Sequence, residues 1–111
     1  MKFAFVYHGG AHPQTPEETE RVMDAWRKWL AGMGDAVADA GNPVGMSCTV
    51  HPDGSVTRDG GSNPVAGMSF IIAEGEDAAI AHARCCPILA SGGSVEVAPV
   101  IDLDLSAESS A

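Results

Sequence analysis

The chain has 111 residues, 45% of them hydrophobic, which is the length of one domain and enough apolar material for a core. Fifteen acidic residues against six basic ones give a net charge of −9, which repels nucleic-acid phosphates and anionic membrane surfaces. No apolar run approaches the roughly 18–20 residues that a membrane span requires.

Residues 3–8 alternate, with Phe3, Phe5 and Tyr7 on one face and Ala4, Val6 and His8 on the other. That period of two predicts a strand. Gly9-Gly10-Ala11-His12-Pro13 ends it in a loop. The opening MKFAFVYHGG carries one lysine and no small-residue cleavage site, so it reads as the first strand of a cytoplasmic protein rather than a signal peptide.

Thr15-Pro16-Glu17-Glu18 is a helix start: Thr15 caps, Pro16 takes the tolerated first position and Glu18 completes a capping box. Met23, Trp26, Leu30, Met33 and Val37 recur at helical spacing. The pattern predicts a helix up to Gly41, stopped by Asn42-Pro43, with Gly32 and Gly34 as weak points or places of close backbone approach.

Val44–His51 then reads as the second strand, Pro52-Asp53-Gly54 as a turn and Ser55–Arg58 as a short return. Asp59–Pro64 is a loop, and Gly67–Ala73 the next strand. Glu74–Asp77 opens a second helix whose apolar stripe is Ala79, Ile80, Ala83 and Cys86. Pro87 ends it near Cys85–Cys86, and Gly92-Gly93 reverses the chain. Ser94–Val100 alternates as the last strand, with Val95, Val97 and Pro99 on one side. Residues 1–101 form the domain, and 102–111 an acidic, serine-containing tail.

The order predicts an α+β fold: a ferredoxin-like split βαβ sheet (β-α-β-β-α-β) with an inserted hairpin. Right-handed crossovers place both helices on one face. The other face keeps large apolar side chains, so a homodimer through it is expected.

Candidate chemistry is sparse. His8, leaving the first strand with Tyr7 before it, offers acid/base chemistry near neutral pH, against a locally hydrogen-bonded histidine. His8 and His12 would make a metal pair only on a helix, which Gly9-Gly10 disfavours, so no metal and no cofactor are expected. Trp26 is an aromatic wall for a ligand, or core packing together with Trp29. His51 reads as a turn residue, and Ser47 and Ser69 as strand positions able to face a cavity. The three cysteines include the adjacent Cys85 and Cys86, whose side chains diverge, and reduced thiols are expected.

In MKFAFVYHGG, AWRKWL, GNPVG, SVTRDGG, GMSFIIAE and above all CCPILASGGSVEVAPVI, the chain resembles the YCII-related family, and within it the DGPF-type proteins. The resemblance implies a dimeric α+β barrel built from ferredoxin-like subunits, with a cleft beside the sheet for a small organic molecule. The motif that names the subgroup, Asp-Gly-Pro-Phe, reads Asp59-Gly60-Gly61-Ser62 here. The retained Asp59 either orders its loop or contributes to a pocket across the dimer. Some relatives carry an acid/base histidine on the first helix; no histidine lies between Pro16 and Ala40 here. The expected function is binding of a small organic molecule, with cofactor-free acid/base chemistry of lyase or isomerase type from His8 and Tyr7. The alternative is a non-catalytic dimeric binding or accessory module.

Overall fold

The alternation at the start of the chain becomes the central strand β1, Lys2–His8, with Phe3, Phe5 and Tyr7 buried. The structure is a computed structural model that describes residues 1–10 and 12–103. Ala11 of the expected loop and residues 104–111 of the expected tail lie outside the described residues.

Four strands form one sheet in the order β2 (Val37–Pro43), β5 (Val65–Ile72), β1 and β6 (Ser94–Pro99), with every pairing antiparallel. Phe3 lies opposite Ile71, Phe5 opposite Ser69 and Tyr7 opposite Gly67, so one face of β1 and β5 is the floor of the core. Phe3, Phe5 and Ile71 are at most 1% exposed. Burying each stabilises the fold by about 1.5–3 kcal/mol.

Helices α1 (Pro16–Met33) and α2 (Glu76–Ala83) cover that face through Trp29, Ala79 and Ala83. The Thr15 hydroxyl accepts the Glu18 N–H at 3.1 Å. The Glu18 carboxylate accepts the Gln14 N–H at 2.7 Å, one residue further back than a regular capping box. Trp29 Nε1–H donates to the His82 carbonyl at 3.0 Å and so ties α1 to α2.

The first helix ends at Met33, not at Gly41 as its pattern suggests. Gly34, at φ +56°, turns the chain, and its N–H returns to the Leu30 and Ala31 carbonyls. A short 3-10 turn over Gly34–Ala36 follows, and the second strand is Val37–Pro43. The expected strand Val44–His51 therefore shrinks to β3, Thr49–Val50, paired in its own two-stranded sheet with β4, Val56–Thr57. Pairing with β5 overrides the local helical preference of Ala38–Ala40. Gly41 accommodates a register shift between Asp39 and Asn42, at φ +70° and against the Met68 carbonyl oxygen, where a Cβ has no room.

After α2 the chain runs through a turn to Cys86, then a 3-10 turn over Pro87–Ser91, and Gly92 at φ +87° leads into β6. Cys86 and Ile88 are buried in the core. The three cysteines are free thiols, with Cys48 and Cys85 exposed.

The result is a small α+β fold: two main helices on one side of a four-stranded antiparallel sheet. Its strand order and connections are consistent with a ferredoxin-like arrangement. Among the described residues no helix is long and apolar enough to cross a membrane. The sheet face away from the helices carries Ala4, Val6, Met68, Phe70, Ile72 and Ala98, and Met68 and Ile72 are 42% and 41% exposed.

Candidate functional site

A hydrogen-bonded polar pair stands on that face at the end of β1. The sheet register sets His8 opposite Ser94 and Val6 opposite Glu96, so His8 and Glu96 are diagonal neighbours on one face. His8 Nε2 lies 2.7 Å from Glu96 Oε1. Its other nitrogen, Nδ1, lies 3.0 Å from the Asn63 carbonyl oxygen. A carbonyl only accepts, so Nδ1 carries a proton and donates it. The second proton is then shared between Nε2 and Oε1, either as imidazolium with carboxylate or as imidazole with carboxylic acid.

Three local devices build this geometry. The β1–β5 register shifts between Tyr7 and His8, a bulge that re-aims the last side chain of the strand. Gly93 packs beneath the His8 carbonyl, where a Cβ would come within 2.5 Å of the oxygen, and this lets β6 lie close against the end of β1. Asp59 Oδ1 accepts the Gly61 N–H at 3.1 Å, Gly60 packs against Ser47 and Pro64, and the Gly9 N–H donates to the Pro64 carbonyl at 3.3 Å. The 59–64 loop is thereby held where its Asn63 carbonyl meets the imidazole.

The pair is asymmetric. The His8 side chain is 11% exposed and the Glu96 side chain 71%. Among the described residues only Oε1 of Glu96 is engaged, so the carboxylate is the part of the pair that an incoming molecule meets. Glu96 is the one charged residue of β6, on the strand face opposite Val95 and Val97, and the alternation alone marks it only as a solvent-side position.

The other candidates do not gather around it. Tyr7 and His8 point to opposite faces of β1, so the two do not act on one molecule. The Tyr7 hydroxyl donates to Ser69 Oγ at 2.8 Å, and Ser69 Oγ donates to the Ala40 carbonyl at 2.6 Å. Burial pushes the Tyr7 phenol up to about 12, and it stays protonated. Burial likewise pushes the Cys86 thiol up to about 11. Trp26 packs edge-on against Tyr7 at 4.9 Å and Trp29 at 5.5 Å between ring centroids, on the helix side. It fills space there rather than lining a cleft. His12 is exposed, and Gln14 Nε2 donates to its carbonyl at 3.3 Å. Asp59 is exposed, and it acts on the site through the loop that it orders. His51 bonds Thr57 at 2.6 Å within the hairpin.

Shallow surface depressions lie over Glu74–Ala78 and beside Glu17, Glu20, Arg21 and Asp24; neither is lined by His8, Tyr7 or Trp26. Among the described residues no group of three or more His, Cys, Asp or Glu side chains is arranged to hold a metal ion. No protein-family model matches the chain, and no curated protein or solved structure matches it significantly.

Proposed function

We propose that this protein is a cytoplasmic homodimer of YCII-related, ferredoxin-like subunits that pack their open sheet faces as a dimeric α+β barrel. It binds a small organic molecule beside the sheet and moves a proton on it without a cofactor. The observation that carries this reading is the His8–Glu96 pair beside the apolar centre of the open face. Ala4, Val6, Met68 and Phe70 offer contact for an apolar body, while the free Glu96 oxygen accepts a proton from the bound molecule and returns it. His8, anchored by Asn63, keeps its proton toward Glu96 Oε1, so the pair that has taken up the proton is cationic and holds the anion left on the bound molecule until the proton returns. Packing a second sheet over the pair would lower the local dielectric and strengthen that coupling.

Small carboxylates and phenols, screened by thermal shift on wild type, Glu96→Gln and His8→Ala, test this reading. A probe that raises the wild-type melting temperature and loses most of that effect in Glu96→Gln supports it. Equal stabilisation of wild type and Glu96→Gln removes the proton-transfer role. A monomer in sedimentation at micromolar concentration removes the dimer.

A second reading is a non-catalytic dimeric binding module. The packing of Trp26 against Tyr7 and Trp29, which fills the helix-side space expected for a ligand, favours it. Ligand binding that is unaffected by Glu96→Gln distinguishes this reading from the first.

A further inference from the structure

The carbonyl that anchors the nearly buried His8 comes from a segment with no core of its own. No residue from Ala38 to Ala66 is buried, and the β3–β4 ribbon pairs only with itself. A lone two-stranded ribbon is marginally stable in water. Hydrogen bonds and one close glycine contact, rather than burial, therefore place the Asn63 carbonyl. The bonds run in a chain. Thr49 and Thr57 are directly opposed across the ribbon, and His51 bonds the Thr57 hydroxyl at 2.6 Å. The Thr49 hydroxyl donates to the Asp59 carbonyl at 3.1 Å. Among the described residues it supplies the side-chain hydrogen bond that joins the ribbon to the 59–64 loop. Within the loop the Asp59 carboxylate takes the Gly61 N–H, and Gly60 closes against Ser47 and Pro64. At the far end the Gly9 N–H reaches the Pro64 carbonyl at 3.3 Å, a long bond.

The anchor fixes a proton count. With Nδ1–H on the Asn63 carbonyl, the contact between Nε2 and Oε1 holds a second proton. When the carbonyl withdraws, a neutral ring keeps its one proton on Nε2, donates it to the Glu96 carboxylate and leaves Nδ1 bare, and the other proton passes to water. That pair is one proton poorer. After it takes a proton from a bound molecule it is neutral rather than cationic, and it loses its hold on the anion left behind.

We propose that Thr49 is a positioning residue for the His8–Glu96 pair: its hydroxyl, on the Asp59 carbonyl, holds the loop whose Asn63 carbonyl keeps a proton on Nδ1. This rests on the proton-transfer reading above. Thr49 touches neither member of the pair and acts on it only through the loop.

Nitrogen-15 NMR of the His8 ring near neutral pH, on wild type, Thr49→Val and Thr49→Ser without any ligand, tests the role directly. Valine keeps the β-branched shape and removes the hydroxyl; serine keeps the hydroxyl. The ratio of bare to protonated Nδ1 is expected to rise at least about twofold in Thr49→Val, as the loss of one hydrogen bond allows. Thr49→Ser is expected to match wild type. Unchanged ring resonances in a Thr49→Val protein that keeps its β3–β4 cross-strand contacts overturn the proposal. If Thr49→Val loses those contacts, Gly60→Ala decides: it crowds Pro64 with Thr49 intact, and an unchanged Nδ1 there overturns the proposal, while a bare Nδ1 supports it. A ring that responds to Thr49→Val, in a protein whose probe binding is unmoved by Glu96→Gln, supports the positioning role and overturns only the proton-transfer reading.

Discussion

His8 Nε2 and Glu96 Oε1 meet at 2.7 Å across β1 and β6, with the imidazole nearly buried and the carboxylate exposed. The relationship has a consequence for tautomers. In Glu96→Gln the amide N–H donates to Nε2 while Nδ1–H stays on the Asn63 carbonyl, which locks the neutral Nδ1–H form. Nitrogen-15 NMR of the His8 ring is expected to show one protonated nitrogen in the variant. In the wild type, the Nε2 resonance is expected to move with the shared proton. Identical ring shifts in the two proteins would show that Glu96 does not engage the ring.

The relay from Tyr7 through Ser69 to the Ala40 carbonyl joins β1, β5 and β2. Ser69→Ala leaves the buried phenol without its acceptor and removes the bond to the Ala40 carbonyl, and is expected to cost about 1–3 kcal/mol in urea unfolding. Tyr7→Phe removes one hydroxyl and costs about 1 kcal/mol. The double variant is expected to lose less than the sum of the two, since both remove the same bond.

Two glycines make an opposed pair of predictions. Gly41 stands at φ +70°, with its open side against the Met68 carbonyl. Gly41→Ala is expected to cost at least about 2–3 kcal/mol and to free the β2 amides to exchange. Gly32 lies within α1 with open space around it, so Gly32→Ala is expected to stabilise by about 0.5–1 kcal/mol. The thermal midpoints of the two variants should move in opposite directions.

Alkaline pH should weaken the fold. The Tyr7 phenol ionises near 10 when unfolded and at about 12 when folded, and the Cys86 thiol near 9 and about 11. Between those limits the unfolded chain holds fewer protons than the folded one, so stability falls as pH rises. Each group contributes a slope of up to about 1.4 kcal/mol per pH unit within its window. Stability measured from pH 8 to 11 is expected to decline from about pH 9, and Tyr7→Phe should flatten the part of the decline above pH 10.

What the sequence determined by itself is local. The period of two in Phe3–His8 and Ser94–Pro99, the Thr15-Pro16-Glu17-Glu18 cap, the break at Pro87 and the reversal at Gly92-Gly93 each encode an element through nearby contacts alone. Only the tertiary structure decided that Val37–Pro43 is a strand. Its first half, Val37–Ala40, continues the helical pattern of α1, and the gain from pairing with β5 is invisible without β5. It also decided the site. His8 was visible as a histidine at a strand end, but its partner lies 88 residues away on β6, and its anchor is a backbone carbonyl in the 59–64 loop. Hydrogen bonds of that range depend on which strands become neighbours and in what register, and no local pattern in the sequence records either.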